Sequence, residues 1–168
     1  MLPPEATLKL LPTINTQTHH TMTPQQIQLI RQSFALVAPI ADTAAALFYK
    51  RLFELDPALR PMFPPSLDGQ GRKLMQMIGA AVGQLDKPQV LIPVLENLGR
   101  RHVGYGVEDR HYNTVGEALL WTLEQGLGAA FTPEVRSAWT ELYGIIATTM
   151  KNAAAQASPE KREALEVI

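Results

Sequence analysis

Apolar side chains recur along this chain at steps of three and four, and prolines and glycines fall between the periodic stretches. Thr23-Pro24-Gln25-Gln26 offers an N-cap hydroxyl, a proline at the first helical position and a glutamine three residues after the cap, which is a capping-box start. The spacing predicts a first helix over about 24–38, with Ile27, Ile30, Phe34 and Val37 inward. After Pro39 a second follows over about 40–54, its apolar line being Ala44, Phe48, Leu52 and Leu55. Pro61, Pro64 and Pro65 forbid a long helix in the next turn. Leu74, Met77, Ile78, Ala81, Val82 and Leu85 mark a helix over about 69–86. Another, over 89–102, carries Leu91, Val94 or Leu95, Leu98 and His102 along one side, and Gly104 and Gly106 stop it. Two longer helices close the set. One, about 108–127, has Tyr112, Val115, Leu119, Leu123 and Leu127 inward; the other, about 133–153, has Val135, Trp139, Leu142, Ile145 or Ile146, and Thr149 inward. No segment alternates as a half-buried strand does, so the fold class is all-α.

At 168 residues the chain has the size of one domain, able to bury roughly two-thirds of the surface its unfolded form exposes. Its 15 basic and 16 acidic side chains nearly cancel, which removes the driving force for non-specific nucleic-acid binding. Having no cysteine, it cannot build a disulfide framework, a thiolate metal site or a thioether-linked haem. No run approaches the roughly 18 to 20 apolar residues that span a bilayer. Residues 1–22 lack a basic start and a continuous apolar core, Pro3, Pro4, Glu5, Lys9 and Pro12 breaking it, and are read as a disordered tail. The domain is expected over 23–155, with a C-terminal tail over 156–168 and a cytoplasmic location.

Gly104-Tyr105-Gly106 begins like a dinucleotide fingerprint, but Asp109 holds the third glycine position and no strand precedes it, so a helix–helix turn is expected. Gly69-Gln70-Gly71 fails in the same way, with Leu74 in the third slot. No P-loop, nucleophile elbow or zinc-protease motif occurs. Of the four histidines, His19 and His20 fall in the tail and are read as solvated. His111 lies off the apolar face of its helix and is expected at the surface. His102 extends the Leu91, Leu95, Leu98 stripe, which turns an imidazole inward at the last turn of a helix. Periodicity leaves two roles open for it: a core histidine satisfied by a hydrogen bond, or a ligand to a metal or cofactor. Phe48-Tyr49, Phe63 and the 70–78 segment provide residues to enclose a flat apolar ligand across from it.

With FYKRLFELDPALRPMF, GRKLMQMIGAAVGQLD, LIPVLENLGRRHVGYGV, HYNTVGEALLWTLEQGLG and AWTELYGIIATTM in this order over about 24–150, the chain resembles the bacterial single-domain globins and the haem domain of flavohaemoglobins. The resemblance implies a globin fold of six to seven helices around a pocket for haem b, iron protoporphyrin IX. It implies His102 as the proximal iron ligand and Phe63 packed on the porphyrin. Tyr49 and Gln70 match the family's distal pair, Leu74 an apolar residue one turn beyond Gln70, and Tyr112 a tyrosine on the proximal side. One departure stands out. Where the flavohaemoglobin pattern has a glutamate that hydrogen-bonds the proximal histidine, this chain has Ala154. A backbone carbonyl near Leu98 is then the expected acceptor for the second imidazole nitrogen, which weakens the electronic push of the ligand.

The function this implies is reversible binding of dioxygen at ferrous iron, with carbon monoxide and nitric oxide as further gas ligands. The alternative is a nitric oxide dioxygenase. Because only about 18 residues follow the stretch that carries the resemblance, that alternative is expected to need a separate reductase, and a signalling globin would lack an output domain. A helical interaction module without haem is the remaining reading. Nucleic acid and membrane are not expected partners.

Overall fold

A computed structural model describes residues 22–156; the two tails assigned from sequence, with His19 and His20, lie outside the described residues except for Met22 and Gln156. Six α-helices follow one another: α1 (Pro24–Val37), α2 (Ala41–Leu55), α3 (Asp68–Gly83), α4 (Pro88–Gly104), α5 (Asp109–Leu127) and α6 (Pro133–Gln156). Short 3-10 turns, Ala38–Ile40, Pro57–Met62 and Gly128–Ala130, fill three of the connections. Among the described residues there is no strand.

The ends fall where the capping chemistry puts them. Thr23 Oγ1 accepts the Gln26 N–H at 3.1 Å while Gln26 Oε1 accepts the Thr23 N–H at 2.9 Å. Met22, assigned to the tail from sequence, is instead buried against the core beside that cap.

The helices pack as crossed pairs. The most extensive contacts join α4 to α6 and α2 to α5, with α1 on α6 and α2 on α3 next. The α4–α6 crossing is close because Gly99 has no side chain: a Cβ there would run into the Met150 carbonyl. Gly116 similarly leaves room for the ring of Tyr143, which a Cβ would approach to 2.8 Å, joining α5 to α6. Ile30, Leu52, Leu95 and Trp139 are the largest side chains wholly removed from water.

Burying Trp139 requires an acceptor for its indole N–H. Ser33 Oγ supplies it at 2.8 Å and in turn donates to the Leu29 carbonyl at 2.7 Å. Ser33→Ala leaves that indole N–H without its acceptor, at an expected cost of about 1–3 kcal/mol. Thermal unfolding of the variant checks this: an unchanged midpoint would mean the pair contributes nothing net.

Candidate functional site

Helices α3 and α4 are consecutive, yet they are not among the packed pairs. Between them, closed by α2, α5, α6 and the 57–62 turn, lies a cavity with about 1010 Å³ of atom-free space, part of it open to solvent. Its wall is nearly all hydrocarbon, from Leu52, Met77, Ala81, Leu95, Ile146 and Met150 among others.

His102 stands in this wall on the last turn of α4. Its Nδ1 lies 2.8 Å from the Leu98 carbonyl, which only accepts, so Nδ1 carries the hydrogen and Nε2 the lone pair. This is the acceptor expected from the alanine at 154. Burial holds the imidazole below the usual histidine range, so it is neutral near pH 7. The turn that carries it is tied down at its C-terminal end. Gly106, at φ +84°, takes the left-handed conformation of a helix terminus. Its N–H donates to the Val103 carbonyl and the Val107 N–H to that of His102, both at 3.1 Å. Val107 then packs into the cavity wall. The Gly104-Tyr105-Gly106 string is thus a helix stop.

Phe63, Leu74 and Tyr112 line the same cavity. Phe63 follows the 57–62 turn and packs edge-on against Tyr49 and Phe53, each with ring centroids 5.5 Å apart. Arg60 pins its segment by donating to the Pro64 carbonyl at 2.9 Å and the Pro65 carbonyl at 2.8 Å. Tyr112 is buried at the start of α5, and its carbonyl accepts the Tyr143 hydroxyl at 2.6 Å.

Tyr49 and Gln70 are brought together but do not line the cavity; their neighbours Phe48 and Leu74 do. Gly71 explains the pairing. A Cβ there would lie 2.9 Å from that of Ala45, so α3 approaches α2 closely one turn from Tyr49. The Tyr49 hydroxyl donates a long bond, 3.4 Å, to the Gln70 carbonyl. Burial pushes that hydroxyl up to about 12, so it keeps its proton and remains a donor at neutral pH.

Among the wall residues that the sequence pattern did not single out, His111 and Tyr143 carry polar groups. His111, expected at the surface, is 6% exposed and lines the cavity. A single helical stripe omits it because in the first turn of α5 both His111 and Tyr112 turn inward, a wider arc than one stripe covers. Tyr143 also lines the cavity, and Met150 rather than Thr149 is the buried residue at that turn of α6. The signal available for Tyr143 is its four-residue spacing from Trp139.

Among the described residues, no group of three or more His, Asp or Glu side chains converges as a metal site. A metal held by His102 must therefore bring ligands of its own. A neutral imidazole with a committed Nδ1, standing in a nearly all-apolar wall, fits an iron macrocycle.

Comparison with known proteins agrees. The family model described as Globin matches residues 46–150. The chain belongs to the globin family. Among similar proteins are the Flavohemoprotein of Xylella fastidiosa, 34% identical over 135 residues, and that of Rhodopirellula baltica, 35% identical over 124. These alignments cover 79% and 72% of this globin but 34% and 30% of the relatives, so the chain spans about a third of their length. Neuroglobin of Danio rerio is 35% identical over 136 residues, covering 73% of this globin and 86% of the relative. Membership implies a haem-binding domain, and no described helix is long and apolar enough to cross a membrane.

Proposed function

We propose that this globin holds haem b and binds dioxygen reversibly, with His102 Nε2 as the proximal ligand. The observation that carries the reading is the His102 to Leu98 hydrogen bond, which presents a neutral imidazole lone pair to an apolar cavity. When bound, haem supplies a ferrous iron with a position open to a diatomic gas.

The chain's own residues set the rest. The Leu98 carbonyl fixes the tautomer and orientation of His102. A carbonyl acceptor makes the imidazole less anionic than a carboxylate would, which favours gas binding over peroxide cleavage. Phe63, Leu74 and Tyr112 provide apolar surface that excludes water. Tyr49 and Gln70 adjoin the wall residues Phe48 and Leu74 on α2 and α3 without lining the cavity, so on this reading the Tyr49 hydroxyl turns inward to meet a gas. The Tyr49 bond to the Gln70 carbonyl is at the limit of hydrogen-bond length, so exchanging it for a better acceptor costs little.

Tyr49→Phe keeps the ring and removes the donor. Dioxygen acquires partial negative charge on binding, and a bond to such an acceptor is worth roughly 1.5–3 kcal/mol, so dioxygen release is expected to accelerate about tenfold or more. Carbon monoxide release should change much less. Gln70→Leu should act in the same direction and more weakly, because a flexible amide stem loses more entropy on bonding. Stopped-flow release rates decide this: equal rates in wild type and Tyr49→Phe would make the tyrosine a packing residue.

The likeness to two proteins named Flavohemoprotein supports a second reading, conversion of nitric oxide and dioxygen to nitrate with electrons from a reductase. Sustained nitrate formation that requires an added reductase would favour it.

A further inference from the structure

His111 is in the cavity wall and has no role in the reading above. Its Nδ1 accepts the Glu108 backbone N–H at 2.9 Å, so the ring hydrogen is on Nε2. Among the described residues no acceptor is within bonding distance of that Nε2–H. Glu108 Oε2, at 4.0 Å, is beyond reach. His111 lines the cavity and its Nε2 is not among the buried polar atoms shut off from open space, so this donor is open to an acceptor that the cavity's occupant brings.

The surroundings select the charge of that acceptor. Glu108 is 62% exposed, which puts this edge of the ring at the rim of the cavity, and Arg110 Nη2 neutralises its carboxylate at 3.2 Å. The Lys151 ammonium lies 5.6 Å from the centre of the Tyr112 ring, one residue along from His111. The first turn of α5 adds the partial positive charge of a helix N-terminus, with exposed Asp109 as the opposing group.

We propose that His111 Nε2–H, at the start of α5, is a subsite for a carboxylate of the cavity's occupant, which on the haem reading is a propionate. This rests on that reading and adds an anchor that iron ligation does not supply.

The test compares loss of hemin and of hemin dimethyl ester, whose propionates are neutral, to an excess of a haem-scavenging apoprotein. Wild type is expected to lose the diester faster than hemin. His111→Leu should lose hemin about tenfold faster than wild type, with diester loss nearly unchanged. His111→Gln keeps an acceptor for the Glu108 N–H and a donor for the ligand, and should recover most of the difference. Equal acceleration of both compounds in His111→Leu would mean the histidine only caps α5 and fills the wall, and would overturn the subsite. Equal loss of hemin and diester from wild type would overturn it without any variant. If wild type takes up neither compound, the haem reading fails first and the subsite with it.

Discussion

Replacing His102 with alanine is expected to abolish retention of haem while leaving the helices in place. His102 is the one imidazole on α4, and its Nε2 is the only lone pair that helix presents to the cavity once Nδ1 is committed to the Leu98 carbonyl. The side chain is only partly buried, and its loss should cost the apoprotein no more than about 1 kcal/mol, the centre of the range for single substitutions. Haem content after purification should therefore collapse at nearly constant helical circular dichroism. Added imidazole should restore part of the spectrum, because the cavity and its tethered turn remain. Unchanged haem content in His102→Ala would place the ligand elsewhere, and His111, the other imidazole in the wall, would be the residue to examine.

The largest effect on stability is expected from Gly99→Val. Gly99 is buried where α4 crosses α6, and a Cβ there collides with the backbone carbonyl of Met150. Neither side of the contact is a flexible side chain, so the helices must separate. Leu95 and Met150, both buried at this crossing, would lose packing together. Overpacking of this kind costs typically 1–3 kcal/mol and sometimes more; against backbone, at least about 3 kcal/mol is expected. For a domain of this size that lowers the thermal midpoint by roughly 10 °C. His102 is one turn further along α4, so hemin affinity should fall as well. Gly144→Ala is the control: nothing lies within 4 Å of a Cβ at that exposed helical position, and alanine is the better helix former. A Gly99→Val midpoint close to wild type would show that the crossing yields.

Gly99 and Gly116 mark the limit of what was legible in the chain. Helix ends were readable because caps are local chemistry: Thr23 with Gln26 starts α1, and Gly106 ends α4. Inward faces were readable where a stripe is continuous, as for Ile30, Leu91 and Trp139, whereas spacing left Val94 or Leu95 open and burial selects Leu95. Gly99 and Gly116 gave no signal, because a glycine matters through the atom that approaches it and that atom is on another helix. Ser33 and Trp139 form a bond across 106 residues that no local pattern encodes. His102 and its carbonyl partner were readable because both lie on one turn of one helix. The direction of the Tyr49 hydroxyl was not, since a rotamer is set by the approach of α3 at Gly71. His111 was misplaced because helical periodicity assumes one buried face, and the first turn of α5 buries more.

The central claim is that the cavity beside His102 takes a gas-binding haem, and the most direct measurement is the absorption spectrum of the protein purified as expressed or after addition of one equivalent of hemin. The account predicts a Soret band that shifts on reduction and shifts again under carbon monoxide. A protein that is colourless, takes up no hemin and shows no change with carbon monoxide would contradict it.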